Sequence, residues 1–294
     1  MPTQPEPTSA DIALTPMLKH AAAETVLDCL KIAEDAFPDL ATGAGALADA
    51  TAIRKAATKN TELSGRLALH RIALGMGELT WNSGRDYLRA AAHDLTRHDP
   101  DPVWSTTSLV RSALEAEAGF AYLFQTEKDV RKRLGRTASV LLTDAHYAGQ
   151  LAKTLGEPAI GSNGRYQRGL DRICDHAGAQ VVEDPEKKER KIELAGAKVS
   201  EMVIANVITG FWPKDAGHPY TRLSGASHSR PWVLASGIAG GPTVVDVLIV
   251  SGLVLSTWLR LAGNYAGVDL THEMEQISGY VAGTITEALA GDYS

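Results

Sequence analysis

Hydrophobic residues recur every three or four positions along almost the whole chain after residue 16, and runs that alternate apolar and polar residues are scarce. This spacing places side chains on one face of an α-helix, so the pattern predicts an all-α fold. The predicted architecture is a multi-helix bundle of about ten helices. The predicted helices span residues 17–36, 46–58, 61–80, 84–98, 105–126, 128–155, 163–178, 185–209, 219–230, 242–266 and 271–290.

Proline, glycine and charge mark several predicted boundaries. The proline-rich stretch 1–16 has neither a cationic start nor an apolar core, so we expect a flexible tail and no secretory signal. Asp184 followed by Pro185 is typical of a helix start, and the mixed-charge run 183–191 would then begin an exposed helix. The most apolar run, 247–259, is shorter than the roughly 20 residues that span a bilayer, and it predicts a buried core helix.

The overall charge changes which functions remain open. The chain has 294 residues, with 29 Lys and Arg against 35 Asp and Glu, and a formal net charge of −6. A protein that coats duplex DNA through bulk charge needs a basic surface, so this class is excluded, whereas a local phosphate site is not. No membrane partner is predicted.

Cysteine usage and glycine motifs limit the chemistry. Cys29 and Cys174 are far apart and show no CxxC or Cys/His ligand spacing. This argues against zinc sites and disulfide frameworks and favours a reducing, cytoplasmic setting. The phosphate-loop patterns GxGxxG and GxxxxGK[ST] are also absent from the sequence. We therefore predict no cofactor and no metal.

The predicted helix 105–126 is apolar apart from a few positions, among them Arg111 and Glu115. Their separation of four puts both on one face, where charged groups in apolar surroundings must satisfy each other or line a cavity. Two interpretations stay open: a structural ion pair, or a site in which Arg111 binds and Glu115 takes part in catalysis.

The segment 218–232 holds the densest group of reactive side chains in the chain. Its candidate site residues are Tyr220, Arg222, Ser224, His228 and Trp232. On a helix, Tyr220, Ser224 and His228 would form one polar stripe, because they are spaced by four. Such a stripe suits a polar ligand, with Trp232 as a pocket wall; a structural histidine beside a serine is the alternative.

Two basic groups could engage phosphates despite the net negative charge. The first lies in 128–136 and comprises Arg131, Lys132, Arg133 and Arg136. The second comprises Arg165, Arg168 and Arg172. Acidic residues lie close to both groups, so a solvated surface is the alternative for each.

Two of these segments resemble motifs of the HEPN-like all-helical families. The stretch from Tyr220 to His228 matches the YxxLSxxxH pattern, and Arg222 with His228 matches the loose Arg-x(4–6)-His motif. Arg111 and Glu115 match an RxxxE helix found in several members. The chain departs from the nuclease members at Leu223, where those members usually carry a polar residue.

The resemblance implies a four-helix core that often dimerises, here within 101–294, with the helices of 17–100 packed on it. It implies a site around His228 that binds a nucleotide, another phosphate-containing molecule or a small ligand, and we place this binding function first. The alternative is a metal-independent endoribonuclease, in which His228 is the general acid/base and Arg222 stabilises the phosphorane. A further alternative, from the residues themselves, is an acid/base enzyme of specialised metabolism that uses Tyr220, Glu115 and His228. Whether the protein is an enzyme stays open.

Overall fold

The computed structural model describes residues 9–97, 103–125, 129–154, 162–184, 189–211, 223 and 244–290. Within these ranges the chain forms nine helices and a three-stranded sheet. The helices are α1 (Ser9–Ala36), α2 (Ala44–Ala56), α3 (Asn60–Leu95), α4 (Val103–Phe124), α5 (Val130–Thr154), α6 (Ser162–Ala177), α7 (Ile204–Phe211), α8 (Val244–Ala266) and α9 (Thr271–Ala290). The strands are β1 (Ala179–Asp184), β2 (Glu189–Leu194) and β3 (Ala197–Ser200). The predicted multi-helix fold is confirmed, and the sheet corrects the all-α class.

The main hydrophobic core lies between α1, α3, α4, α8 and α9. At its centre Phe37 stacks on Trp81 with ring centroids 4.3 Å apart, and Trp258 meets Trp81 edge-on at 5.4 Å. A second cluster joins α3 to α5, α6 and the sheet through buried residues such as Leu69 and Leu194. The helix α3 therefore contributes to both cores.

The helix α8 contains the apolar run 247–259. Judged by length and composition alone it could cross a membrane, and it is the one such helix in the described part of the chain. Within the bundle, however, 61% of its most apolar stretch is buried, and Trp258 and Leu255 have no exposed surface. Because neighbouring helices cover it, α8 is the buried core helix that the run predicts.

The predicted helix 185–209 is wrong over residues 189–200, because β2 and β3 lie there, whereas its last part falls in α7, which begins at Ile204. Ile192 and Leu194 in β2 and Ala197 and Val199 in β3 are buried, while the residues after them tend to face solvent. This period of two is the signature of a half-buried strand. Of the charges in the run 183–191, those of Glu183 and Asp184 lie on β1 and those of Glu189, Arg190 and Lys191 lie on β2, so Asp184 ends β1 rather than beginning a helix.

A tight turn joins β2 to β3 in the antiparallel sheet, whose order is β1-β2-β3. Leu194 pairs with Ala197, which leaves the two-residue loop Ala195 and Gly196. Both have positive φ, 49° and 80°. Positive φ at both loop residues is typical of a type I′ turn, whose twist matches that of the flanking strands. Gly196 adopts a positive φ without steric cost because it has no Cβ atom.

Two helix boundaries also differ from the predictions. The predicted break between 80 and 84 is absent, since α3 continues through Gly84. A Cβ atom at Gly84 would lie 1.8 Å from Cη2 of Trp258, so this glycine allows close helix packing instead of ending a helix. The helix α1 begins at Ser9 and includes Pro16, where a start at 17 is predicted. The alanines and Leu14 before Pro16 favour helix, and this preference opposes the cost of the proline, which removes one backbone donor and crowds the preceding turn.

Candidate functional site

A cavity of about 410 Å³ lies between the end of α4, the first turns of α5, β3 and the start of α7. The polar side chains in its wall are Tyr122, Gln125, Lys132, Arg136, Lys198, Ser200, Glu201 and Asn206. We call it the basic cavity. Lys132 and Arg136 reach it together because they are four residues apart on α5 and share one helix face.

Close packing of β3 on α5 brings a third cation to the same cavity. A Cβ atom at Gly135 would lie 2.7 Å from Cγ2 of Val199, so the glycine lets the strand approach the helix. Val199 is buried in the core, its neighbour Lys198 is exposed, and both line the basic cavity.

Arg136 is held in the wall of the basic cavity and is only 9% exposed. Its guanidinium lies over the ring of Tyr122, 5.8 Å from the centroid. The Tyr122 hydroxyl donates a hydrogen bond of 2.7 Å to the carbonyl of Ser200. Burial raises the pKa of Tyr122, and the nearby Arg136 charge opposes that rise, so the phenol stays neutral at physiological pH. The stacked ring and the strand thus fix the orientation of the guanidinium.

The electrostatic balance of the basic cavity is positive. Lys132, Arg136 and Lys198 contribute three cations, and Glu201 is the one carboxylate among the described lining residues. The Glu201 carboxylate also accepts a hydrogen bond of 3.3 Å from Thr143. In a chain of net charge −6, this concentration of positive charge is local and favours anions.

A second cavity, of about 590 Å³, lies on the other side of Gln125, between α2, the end of α4, α5 and the end of α8. Its wall consists of Gly45, Ala48, Asp49, Ala52, Phe124, Gln125, Val130, Arg133, Asn264 and Tyr265. We call it the Asp49 cavity. Gln125 is common to both walls, and α5 supplies cations to both.

A buried polar network forms one wall of the Asp49 cavity. Asp49 is 3% exposed and pairs with Arg133 through two hydrogen bonds, of which Nε to Oδ2 measures 2.9 Å. The Tyr265 hydroxyl donates to Oδ2 of Asp49 at 3.1 Å, and Arg133 lies 5.7 Å from the Tyr265 ring centroid. Burial raises the pKa of Tyr265, with the Asp49 charge acting in the same direction. Burial lowers the pKa of nearby His70, so that its imidazole is neutral.

Two glycines let α2 carry Asp49 to the end of α8. A Cβ atom at Gly45 would lie 2.3 Å from the carbonyl oxygen of Tyr265, and one at Gly43 would lie 2.7 Å from Cα of Ala266. Both positions therefore require the close approach that glycine permits. Asp49 and Tyr265 are brought together by this packing.

The structure describes two of the seven predicted site residues. Arg111 and Glu115 form the ion pair expected from their spacing, with Nε to Oε1 at 2.8 Å, and both are partly buried. Neither lines the basic cavity or the Asp49 cavity. The other five lie outside the described residues, namely Tyr220, Arg222, Ser224, His228 and Trp232. A site shared by the two motifs therefore stays a prediction.

Leu223 is the one described position within the predicted helix 219–230. It is 1% exposed and belongs to the main core. An apolar side chain suits this position because it packs among other core residues. Leu223, which stands where nuclease members usually carry a polar residue, is thus a core residue in this chain.

The basic group at 128–136 divides among three environments. Arg131 is 51% exposed and pairs with Asp129 at 3.0 Å. Arg133 belongs to the Asp49 network, whereas Lys132 and Arg136 line the basic cavity. In the second basic group, Arg168 and Arg172 are exposed on α6, as the surface alternative predicts, and the side chain of Arg165 lies outside the described part.

Sequence reasoning missed Lys198, Asp49, Gln125, Asn264 and Tyr265. The strand alternation around Lys198 is visible in the sequence. Asp49 lies on α2, Gln125 follows α4, and Asn264 and Tyr265 lie on α8, so no local pattern joins these three segments. Both cysteines are free and buried, and burial raises the pKa of each thiol to about 12. Among the described residues, no group of three or more His, Cys, Asp or Glu side chains could hold a metal ion.

Comparisons with protein-family models, with curated proteins and with solved structures found no match.

Proposed function

We propose that this protein binds a small phosphate-containing or otherwise anionic molecule in the basic cavity. The observation that carries the proposal is the convergence of Lys132, Arg136 and Lys198, from two different elements, on one space of about 410 Å³. This volume falls within the roughly 300–1,000 Å³ of small-molecule sites. The proposal keeps the ligand class inferred from the sequence and adds a cavity that the sequence does not reveal.

Electrostatics supports an anion over a neutral ligand. Three cations line this space, and Glu201 is the one carboxylate among its described lining residues. A bound phosphate would interact favourably with this local positive charge. Lys132 and Lys198 would act as point charges, whereas the planar guanidinium of Arg136 would donate paired hydrogen bonds to two phosphate oxygens.

The orientation of Arg136 supports a binding role as well. A solvated arginine samples many rotamers and loses that freedom when it binds a ligand. Arg136 is already ordered by burial and by the Tyr122 ring. A site whose main donor is fixed in advance binds with a smaller entropic cost.

The proposal is tested by titrating the full-length protein with inorganic phosphate and with ribose 5-phosphate in a calorimeter. We expect saturable binding that Lys198→Gln and Arg136→Gln each weaken by about tenfold or more, because charge-assisted hydrogen bonds contribute roughly 1.5–3 kcal/mol. Arg131→Gln is the matched control, since Arg131 lies on the same helix but is exposed and pairs with Asp129.

If Arg131→Gln loses as much affinity as the two cavity variants, the loss comes from the change in net charge and not from the basic cavity. If no ligand binds at millimolar concentration, the proposal is refuted. Lys198→Gln matters most here, because an exposed position tolerates substitution even if the buried Arg136 variant fails to fold.

Three further predictions rest on the motif resemblance, and we retain them as proposals. The motif resemblance supports a dimeric HEPN-like core and a ligand site around His228. It also supports the endoribonuclease alternative, which predicts metal-independent cleavage of single-stranded RNA that His228→Ala abolishes without loss of helical circular dichroism. If His228→Ala still cleaves, that alternative is wrong.

A further inference from the structure

The Asp49 cavity is polar but carries no net charge. Within its described wall, the charges of Asp49 and Arg133 cancel in a bidentate ion pair. The Tyr265 hydroxyl also donates a hydrogen bond to the Asp49 carboxylate. A fully charged ligand would gain little there and would lose its hydration. The cavity therefore suits a neutral group with hydrogen-bonding atoms.

The remaining wall is suited to a flat ring. Phe124 and Tyr265 meet edge to face with centroids 4.9 Å apart and an interplanar angle of 71°, and Val130 lies in the same wall. Aromatic and aliphatic surfaces of this kind favour stacking of a planar ring.

Two primary amides, Gln125 and Asn264, also line this cavity. Each amide offers both a donor and an acceptor, so it pairs with a ligand edge that carries an N–H beside a C=O. Uracil and guanine have such an edge.

Gln125 lies in the wall of both cavities, and Lys132 and Arg133, adjacent on α5, face one cavity each. We propose that one ligand occupies both spaces. Its anionic group lies in the basic cavity, and a planar ring that carries an N–H beside a C=O lies in the Asp49 cavity. A nucleoside monophosphate has both of these parts. This inference rests on the proposed function, and it specifies the part of the ligand that the cations do not contact.

The test compares ligands by calorimetry on the full-length protein. UMP and GMP are expected to bind at least about tenfold more tightly than ribose 5-phosphate, which has the same phosphate and sugar but no base. The 3-methyl derivative of UMP, whose edge N–H is blocked, is expected to lose most of this advantage. Asn264→Leu should reduce UMP binding to the level of ribose 5-phosphate while leaving ribose 5-phosphate itself unaffected.

Asn264 is exposed, so its replacement should not disturb folding, and Gln276→Leu, an exposed amide on α9, is the matched control. If UMP, its 3-methyl derivative and ribose 5-phosphate bind equally, the ring site is refuted while anion binding stands. If uridine binds but no phosphate compound does, the proposed function and the two-part ligand are both refuted. If Gln276→Leu weakens UMP as much as Asn264→Leu does, the assignment of the amide is refuted.

Discussion

The Glu117 side chain of α4 is fully buried, and within the described structure neither carboxyl oxygen has a hydrogen-bond partner. Burial raises the pKa of Glu117 to about 8, although the charge of Arg260 opposes the rise. The group is therefore mainly protonated at neutral pH. In the unfolded chain it ionises near its ordinary value of 4.5. Between these values the folded state holds a proton that the unfolded state releases, so stability falls as pH rises through this window.

We predict that Glu117→Met stabilises the protein, because an unbranched apolar side chain of similar length removes two unsatisfied buried oxygens. The gain should be about 1–3 kcal/mol near pH 3.5, about one unit below the ordinary value of 4.5, where the carboxyl is mainly neutral in both states. It should grow towards pH 8, at up to about 1.4 kcal/mol per pH unit. Urea unfolding at the two pH values measures both quantities.

Glu78→Met is the control for Glu117→Met, since Glu78 is exposed on α3. It should change the free energy of unfolding by less than about 0.5 kcal/mol at either pH. A gain at Glu117 that does not depend on pH would contradict the protonated state assigned to this carboxyl.

At the residue scale, sequence spacing predicts contacts within a helix but not between helices. The ion pair of Arg111 and Glu115 follows from a separation of four, and the structure contains it. Asp49 and Tyr265 are 216 positions apart, and they meet because glycines let α2 pack on α8. No local pattern encodes that meeting, so the sequence alone could not identify the Asp49 cavity.

At the scale of elements, a glycine fits either a helix break or close helix packing, and a run of charges fits either an exposed helix or a strand. A single sequence does not distinguish these cases. Gly84 is typical of a helix break, yet α3 continues through it. The missing side chain leaves room for the Trp258 ring. The mixed charges before Ile192 are typical of an exposed helix, yet the described ones lie on β1 and β2. The alternation of Ile192, Leu194, Ala197 and Val199 with less buried residues was the available sign of the hairpin. Helices with neither ambiguity, such as α9, match their predictions from end to end.

The role of Gly84 leads to a paired prediction for α3. Gly84→Ala should destabilise the protein by about 2 kcal/mol or more, because the new methyl group overlaps a Trp258 ring that has no room to move. Gly75→Ala in the same helix should be neutral or stabilising by about 0.5–1 kcal/mol. A Cβ atom at Gly75 would have nothing within 4 Å, so this variant isolates the helix propensity of alanine.

Urea unfolding of both variants beside the parent protein measures this difference. If the two substitutions change the free energy of unfolding equally, Gly84 acts through backbone entropy alone, and the close packing of α3 on α8 does not explain it.

At the scale of the whole molecule, the helices of 17–100 and those of 101–294 share their hydrophobic cores. Phe37 and Trp81 come from the first part, whereas Phe120 and Trp258 come from the second, and all four rings lie in one contact group. The second core likewise joins Ile53 and other early residues to α5, α6 and the sheet. Removal of an N-terminal addition from a complete core would leave that core intact, but here both parts contribute buried residues to the same interior.

We therefore predict that residues 101–294 do not fold alone. Removal of 1–100 exposes α4 and α8, whose buried apolar faces need α1 and α3, and a domain loses cooperative unfolding when such a core is opened. The fragment should show helical far-UV circular dichroism without near-UV signal from its tryptophans, and it should lack a sigmoidal urea transition.

The matched measurement mixes 101–294 with a separately produced 1–100 fragment. If the two parts complete each other's cores, mixing should restore the near-UV signal and a cooperative transition, and the recovery should depend on concentration as association does. A sigmoidal transition of 101–294 by itself would show that its core closes without α1 and α3. In that case 101–294 is an independent domain that folds without residues 1–100. The basic cavity, whose lining residues fall between 122 and 207, should then still bind its ligand after the truncation.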